Sequence, residues 1–187
     1  GLFPVGSTLV TCTASDGAGN TASGSFTVDV APPPPGGPVA QIVASGNHTC
    51  ALLNDHHVWC WGYNGFGQLG DKTTIGKNVP VRVSALSDVI DISGGEWHSL
   101  FLKSDGTVWA CGRNDHLQLG NTSTAAGNPA PAQVKGLAAV IDIDAGGAHS
   151  LALLPDGKLY GWGSYQFGQI GRVAANSAVP LLIDTTP

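Results

Sequence analysis

The 187-residue sequence contains little charge, no methionine and no long apolar run. Eight basic residues stand against 13 acidic ones, which gives a formal net charge of -5. Nucleic-acid phosphates are bound by concentrated basic surfaces, so nucleic acid is not an expected partner. No stretch approaches the roughly 18 consecutive apolar residues of a transmembrane helix, so membrane insertion is not expected. No charged segment followed by an apolar stretch opens the chain, so no signal peptide is predicted.

Glycine and proline are abundant, at 27 and 12 residues, and 42% of the chain is hydrophobic. This hydrophobic content is too high for a disordered chain. Prolines concentrate in residues 31–38, which read Ala-Pro-Pro-Pro-Pro-Gly-Gly-Pro. Consecutive prolines fix φ and remove backbone donors, which predicts an extended polyproline II spacer. We interpret residues 31–38 as a linker between two domains.

The segment before the linker, residues 1–30, has the pattern of a β-hairpin. Polar and apolar residues alternate in residues 10–14 and 26–30, on either side of a turn composition at residues 16–20. An isolated hairpin is marginal in water, so the segment is interpreted as the last two strands of a β-sandwich. Residues 3–6, 10–14, 16–20 and 26–28 resemble the end of a hyalin repeat (HYR) module, an immunoglobulin-like domain of extracellular proteins. Such modules commonly carry a second cysteine near the position of Ser23 or Gly24, and this chain has none there, so whether Cys12 has a partner stays open.

After the linker, the chain repeats itself three times. A histidine recurs at spacings of 50 and 51 residues, and glycines follow it by 14 and by 22 residues. Such regularity is the sequence signature of a repeat architecture, here with units at about residues 39–88, 89–139 and 140–187. These positions are expected to be structural, with the glycines supplying turns and close packing: His48, His98, His149, Gly62, Gly112, Gly163, Gly70, Gly120 and Gly171.

Each repeat consists of short β-type runs bounded by turn residues, which suits the blade of a propeller. Residues 62–70 (Gly-Tyr-Asn-Gly-Phe-Gly-Gln-Leu-Gly), with residues 48–52 and 60–61 before them, are similar to the regulator of chromosome condensation (RCC-type) repeat. The resemblance covers residue 39 to about residue 187 and implies blades of a seven-bladed β-propeller. The predicted fold is therefore all-β: a partial, about three-blade propeller plus the C-terminal piece of an immunoglobulin-like β-sandwich. We interpret the chain as an internal fragment and expect its open arc to self-associate.

The hairpin turns predict a disulfide. Pro155 and Gly157 fit a three-residue turn with a G1 bulge, and the same register in the first repeat places Cys50 opposite Cys60. Opposed cysteines on paired strands lie within disulfide reach, which favours a disulfide over free thiols and indicates an oxidising compartment. A zinc site that adds His48 and the histidines at 56 and 57 is disfavoured, since zinc-type cysteine spacing is absent. Cys111 occupies the position of Trp61 and Trp162 and is expected to be buried and unpaired.

No catalytic, metal or cofactor site is predicted. The adjacent pairs His48-Thr49, His98-Ser99 and His149-Ser150 would point to opposite faces of a strand, so they are interpreted as structural, with histidines bonding nearby backbone. Residues 142–146 imitate the start of a calcium loop but lack its later ligands. The repeated glycines precede no helix, which excludes a nucleotide loop.

Positions that vary among the three repeats are free of blade constraints and are the better candidates for a partner. They precede the repeated histidine or lie between the two repeated glycines, and they include residue types common in binding hot spots. The candidate partner-binding residues are Tyr63, Phe66, Trp97, Arg113, His116 and Phe167.

The resemblances imply a non-catalytic protein- or glycan-binding, adhesion-type module of a large secreted or cell-surface bacterial protein. The expected partners are an unknown protein or glycan and the remaining propeller blades of the parent chain. Two alternatives stay open, because the propeller family includes guanine nucleotide exchange factors for small GTPases and a secreted inhibitor of β-lactamases.

Overall fold

The computed structural model describes residues 6–30, 37–171 and 175–184, and the regular structure in these residues is entirely β. The chain divides into two units, residues 1–35 and 36–187. No helix long and apolar enough to cross a membrane occurs among the described residues. Most of the predicted linker, residues 31–36, lies outside the described residues.

The first unit is an antiparallel hairpin of β1 (Gly6–Ser15) and β2 (Thr21–Val30). Its turn is held by Asp16, whose Oδ1 accepts hydrogen bonds from the backbone N–H groups of Ala18 and Asn20, at 2.9 Å each. Cys12 lies opposite Gly24 on β2, and it is exposed and unpaired. The hairpin is therefore as predicted, whereas the complete immunoglobulin-like sandwich stays a prediction.

The second unit contains three antiparallel four-stranded sheets, each formed by consecutive strands. The first sheet comprises β3 (Val39–Ala44), β4 (His48–Leu53), β5 (Val58–Gly62) and β6 (Lys77–Arg82). The second comprises β7 (Val89–Gly94), β8 (His98–Lys103), β9 (Val108–Arg113) and β10 (Gly127–Gln133). The third comprises β11 (Asp142–Ala145), β12 (His149–Leu153), β13 (Leu159–Gly163) and β14 (Ser177–Ile183). This is the meander expected of three consecutive propeller blades.

The hairpin turns between the two middle strands have the predicted geometry. Gly157 has φ +81° and donates its N–H to the Leu154 carbonyl at 3.0 Å, and Gly106 takes the same position in the second sheet with φ +76°. In the first sheet His56 occupies this left-handed position, with φ 63°. A non-glycine residue there costs about 1–2 kcal/mol. The side chain is fixed to the next sheet, because His56 Nδ1 lies 3.0 Å from the Val89 carbonyl oxygen.

The hydrophobic core lies between successive sheets rather than within one of them. β7 contacts β3 and β4, and β11 contacts β7 and β8. Two buried clusters fill the junctions, and each combines one face of a sheet with the opposite face of the next. The first junction contains Cys50, Cys60, Ile92, Phe101 and Cys111. The second contains Leu100, Leu102, Val108, Ile143 and Trp162, among others.

The repeated glycines allow close approach between backbone segments. A Cβ at Gly62, whose φ is +108°, would lie 2.6 Å from the Asn47 carbonyl oxygen. A Cβ at Gly120 would lie 2.6 Å from the indole nitrogen of Trp162 in the next sheet. These glycines are therefore required by turn conformation and by blade packing.

Candidate functional site

The repeated histidines connect one sheet to the next. His48 Nε2 lies 2.8 Å from Ser99 Oγ, and His98 Nε2 lies 3.0 Å from Ser150 Oγ. Each serine hydroxyl donates to a backbone carbonyl of the preceding repeat, that of Gln68 at 2.8 Å or that of Gln118 at 2.9 Å. Since the serine hydrogen is used on the carbonyl, the imidazole must donate its Nε2–H to the serine oxygen.

This arrangement corrects the expectation that the histidines bond nearby backbone. Their partner is the serine of the following repeat, 51 or 52 residues away. Burial lowers the pKa of His48 to about 4 and that of His98 to about 3, so both rings are neutral at pH 7. A histidine that donates to serine, and a serine that donates to a carbonyl, cannot act as a base and a nucleophile.

The carbonyl that accepts from the serine, that of Gln68 or that of Gln118, also accepts a second hydrogen bond. Trp162 Nε1 donates to the Gln118 carbonyl at 2.8 Å, and Cys111 Sγ donates to the Gln68 carbonyl at 3.5 Å. Cys111 thus stands where Trp162 stands one repeat later, and it is buried and unpaired. Burial raises the pKa of the Cys111 thiol, which makes it a poor nucleophile.

Cys50 and Cys60 form a disulfide across the first sheet. They are directly opposed in the register of β4 and β5, their Cα atoms are 4.1 Å apart, and they are 3% and 0% exposed. The predicted pairing is therefore present. Among the described residues, no group of three or more histidine, cysteine and acidic side chains could hold a metal ion.

Four of the six predicted partner-binding residues come together at the junction of the first two sheets. Tyr63, Phe66 and Trp97 pack edge to face, with ring centroids 5.3 Å (Tyr63–Trp97), 5.9 Å (Phe66–Trp97) and 6.4 Å (Tyr63–Phe66) apart. The Arg113 guanidinium lies 5.2 Å from the centroid of Phe66. We call these four residues the aromatic cluster.

The aromatic cluster is carried by short, well-fixed loops. Tyr63 and Phe66 lie just after β5, and Trp97 lies in the turn before β8. The backbone N–H of Tyr63 donates to the Asn47 carbonyl at 2.8 Å. Asn64, the residue after Tyr63, is buried, and its Oδ1 accepts the N–H of Leu69 at 2.9 Å. These bonds hold the loop in place without using the aromatic rings.

The surface of the aromatic cluster is open and bordered by charge. Tyr63 is 47% exposed, while Phe66 and Trp97 are half-buried. Arg113 pairs with the exposed carboxylate of Asp115, which accepts from Arg113 Nε at 2.8 Å. The cluster therefore presents apolar rings beside one cation and one anion.

The other two predicted residues lie outside the aromatic cluster. His116 occupies the equivalent loop of the second repeat, with its Nδ1 3.4 Å from Asn176 Nδ2. Phe167 occupies that loop in the third repeat and is 90% exposed. The residue equivalent to Trp97 is Ala148 in the third repeat, so no aromatic partner faces His116 from that position.

One contact between the first strands of the sheets was not predicted from the sequence. Gln41 Nε2 donates to Asp91 Oδ1 at 2.8 Å, and Gln41 Oε1 accepts the N–H of Ile92 at 3.1 Å. Burial, opposed by the bond from Gln41, raises the pKa of Asp91, and the nearby Asp142 raises it further. Only the equivalent repeat positions of Gln41, Asp91 and Asp142 could have suggested that they are neighbours.

Comparison with known families matches both units. A model of the regulator of chromosome condensation (RCC1) repeat matches residues 55–102 and 105–153, and a second model of this repeat matches residues 39–68, 89–118 and 140–169. A model of the HYR domain matches residues 1–30.

Similar proteins include mouse regulator of chromosome condensation, 33% identical over 139 residues, which are 72% of this chain and 33% of that protein. The structure of Prp20p from Saccharomyces cerevisiae, described with its binding to Gsp1p and histones, aligns with a TM-score of 0.65 and 31% identity, over 79% of this chain and 39% of that one. Human WBSCR16 shares the fold, with a TM-score of 0.73 and 22% identity over 84% of this chain and 40% of that one. The chain spans about a third of the length of the curated relative.

Proposed function

The chain belongs to the regulator of chromosome condensation (RCC1) repeat family, and we propose that it is a non-catalytic, protein-binding part of a β-propeller whose contact surface is the aromatic cluster. The observation that carries this proposal is the convergence of Tyr63, Phe66, Trp97 and Arg113 at one junction. Tryptophan, tyrosine and arginine are the residue types that contribute most of the free energy at protein interfaces.

The propeller architecture does not itself require the aromatic cluster. The next junction is built with the same hydrogen bonds between histidine and serine, yet it has Ala148 in place of Trp97 and Arg113 in place of Tyr63. In the described residues this group of packed rings occurs at the first of the two junctions, and the rings are therefore free to serve recognition. Their fixed loops lower the entropic cost of ordering a binding surface.

A non-catalytic role agrees with the state of the polar groups. The buried histidines are neutral and donate to serine, and the Cys111 thiol has a raised pKa. These groups hold the sheets together, so the proposed activity resides in the exposed loops.

A secreted or cell-surface location is part of the proposal, and two observations support it. Disulfides persist in oxidising compartments, and the chain has one between Cys50 and Cys60. Residues 1–30 match the HYR domain, and the resemblance noted in the sequence implies an extracellular protein for a domain of this type. On these grounds we propose a secreted or cell-surface, adhesion-type protein that binds another protein or a glycan, and the bacterial source stays a prediction from the sequence.

The test compares proteins captured by the wild-type chain with those captured by Tyr63→Ala and Trp97→Ala, using quantitative mass spectrometry. Phe167→Ala is the matched control, because Phe167 is an exposed ring outside the aromatic cluster. We expect a partner that is lost with both cluster variants and retained with the control. A partner retained by the cluster variants would refute the assigned surface, and binding to a glycan array alone would replace a protein partner by a glycan.

A second candidate is nucleotide exchange on a small GTPase. It is favoured by the similarity to mouse regulator of chromosome condensation and to Prp20p, which binds Gsp1p. The assay is the release of a fluorescent GDP analogue from a small GTPase, with and without the chain. Accelerated release that Trp97→Ala leaves unchanged would support exchange and oppose the aromatic cluster as the functional surface.

A further inference from the structure

Two polar groups of the aromatic cluster are hydrogen-bond donors that the chain leaves unused. The Trp97 Nε1 atom is not enclosed by the protein, and among the described residues it has no acceptor. The Tyr63 hydroxyl likewise forms no hydrogen bond within the described part of the chain, and Tyr63 is 47% exposed. Trp162 differs, since its buried Nε1 donates to the Gln118 carbonyl at 2.8 Å. The aromatic cluster therefore offers two donors to a ligand.

Gly65 leaves room for the ring of Tyr63. A Cβ at Gly65 would overlap the Tyr63 hydroxyl oxygen and lie 2.5 Å from Tyr63 Cζ. The equivalent residues of the other two repeats are Asp115 and Gln166, and neither repeat has a tyrosine where the first has Tyr63. Blade geometry does not require a glycine at this position, so we interpret Gly65 as the residue that lets the tyrosine ring take its place in the aromatic cluster.

A ligand that suits this surface combines apolar groups for the rings with free acceptors for the two donors. In helices and sheets the backbone carbonyls are already paired with backbone N–H groups. A polyproline II segment differs, because its backbone has no internal hydrogen bonds and proline has no N–H of its own. Such segments dock on surfaces lined by aromatic side chains and lose little conformational entropy, since their conformation is formed beforehand.

From this match we propose that the aromatic cluster binds a proline-rich, polyproline II segment of a partner protein. The inference rests on the proposed function, because it names the partner of the same surface. Trp97 Nε1–H and the Tyr63 hydroxyl donate to backbone carbonyls of the segment, and its prolines pack on the exposed parts of the rings. Two consecutive polyproline II residues span about 6 Å. This span agrees with the ring centroids of Tyr63 and Phe66, which lie 5.3 and 5.9 Å from that of Trp97.

The charges beside the aromatic cluster agree with an uncharged ligand. The Arg113 guanidinium donates to the Asp115 carboxylate, so that the cation and the anion at the border compensate each other. A glycan fits less well, because sugar hydroxyls need acceptors as well as donors. Among the polar atoms of the four cluster side chains, only the Tyr63 oxygen can accept a hydrogen bond.

The test titrates the folded chain with a decaproline peptide and, as a control, with a glycine-serine peptide of the same length. Two-dimensional ¹H–¹⁵N NMR follows the indole N–H signals of the five tryptophans. The Trp97 signal is identified by its loss in Trp97→Phe. We expect decaproline to shift this signal and the glycine-serine peptide to leave it in place, because that peptide has free carbonyls but no apolar rings.

Two conservative variants separate the hydrogen bonds from the ring contacts. Tyr63→Phe and Trp97→Phe each remove one donor and keep an aromatic ring, and each should weaken decaproline binding roughly twofold to tenfold. Phe167→Ala is the control, since Phe167 is an exposed ring outside the aromatic cluster. It should leave the affinity unchanged. Circular dichroism and thermal unfolding establish that each variant is folded, and Tyr63→Phe carries the test if Trp97→Phe does not fold.

A Trp97 indole signal that decaproline does not shift, or an affinity that neither Tyr63→Phe nor Trp97→Phe changes, would overturn the proposal. The capture experiment keeps this outcome apart from the proposed function. A captured partner that is lost with Tyr63→Ala, but that excess decaproline does not displace, would retain the surface and overturn the ligand class. Self-association of the wild type that decaproline reverses would assign the site to residues 31–38 of a second copy, and would overturn the choice of a partner protein.

Discussion

Acidification from pH 7 to pH 5 is expected to destabilise the propeller unit through His48 and His98. Burial lowers their pKa values to about 4 and about 3, whereas a histidine in the unfolded chain titrates near 6.5. Below the unfolded value the unfolded chain binds protons that the folded chain excludes, so the free energy of unfolding falls with pH. Between the unfolded pKa near 6.5 and pH 5 lie about 1.5 pH units over which only the unfolded chain is protonated. The free energy of unfolding therefore falls by about 2 kcal/mol per histidine, or roughly 4 kcal/mol for the pair.

The measurement is urea unfolding at pH 7 and pH 5, followed by tryptophan fluorescence, for the wild type and for a variant carrying His48→Gln and His98→Gln. Glutamine does not titrate and can still donate an N–H to serine. Asp91 has a raised pKa and opposes the loss, but it is present in both proteins, so the difference between their pH dependences isolates the two histidines. If the free energy of unfolding depends equally on pH in the two proteins, the acid-induced loss of stability does not come from His48 and His98.

Three further outcomes are expected from the same structure. Ser150→Ala should lower the free energy of unfolding by about 1–3 kcal/mol, because it leaves the buried Nε2–H of His98 without an acceptor; denaturant unfolding measures this. Cys60→Ala should lower the free energy of unfolding by roughly 2–3 kcal/mol, because it removes the disulfide that closes a short loop with Cys50. A decrease of less than about 0.5 kcal/mol, the size expected for an exposed substitution, would contradict this. Alkylation of the folded, non-reduced chain should label Cys12 and not Cys111, with both labelled after unfolding; mass spectrometry that finds Cys111 labelled in the folded chain would place it at the surface.

The sheets and their internal register could be predicted from the sequence, because they depend on local patterns. The turn at Pro155 and Gly157 sets the register of one hairpin, and the repeat transfers it to the others. The Cys50–Cys60 pair follows from that register. His56 in place of a glycine did not alter the turn, since its side chain is held by the Val89 carbonyl.

The contacts between sheets could not be predicted in the same way. His48 meets Ser99 only because two sheets pack face to face, and no local pattern determines which side chains then interdigitate. The position of the aromatic cluster has the same origin, since Trp97 reaches Tyr63 across a junction between repeats. Variation among the repeats identified the residues, but packing decided which four of the six come together.

The buried junctions show how the repeats differ while the blade geometry stays constant. In the second and third sheets, on the side that faces the preceding sheet, a large and a small residue are diagonal neighbours on the two middle strands. The second sheet has Phe101 with Cys111, and the third has Ala152 with Trp162. The large residue lies on the second strand of one sheet (Phe101) and on the third strand of the next (Trp162), and the small residue takes the other position. The total side-chain volume at the junction therefore stays nearly constant, which a close-packed interior requires. Cys111 therefore replaces tryptophan because Phe101 already fills the space, and the hydrogen bond to the Gln68 carbonyl passes to the thiol.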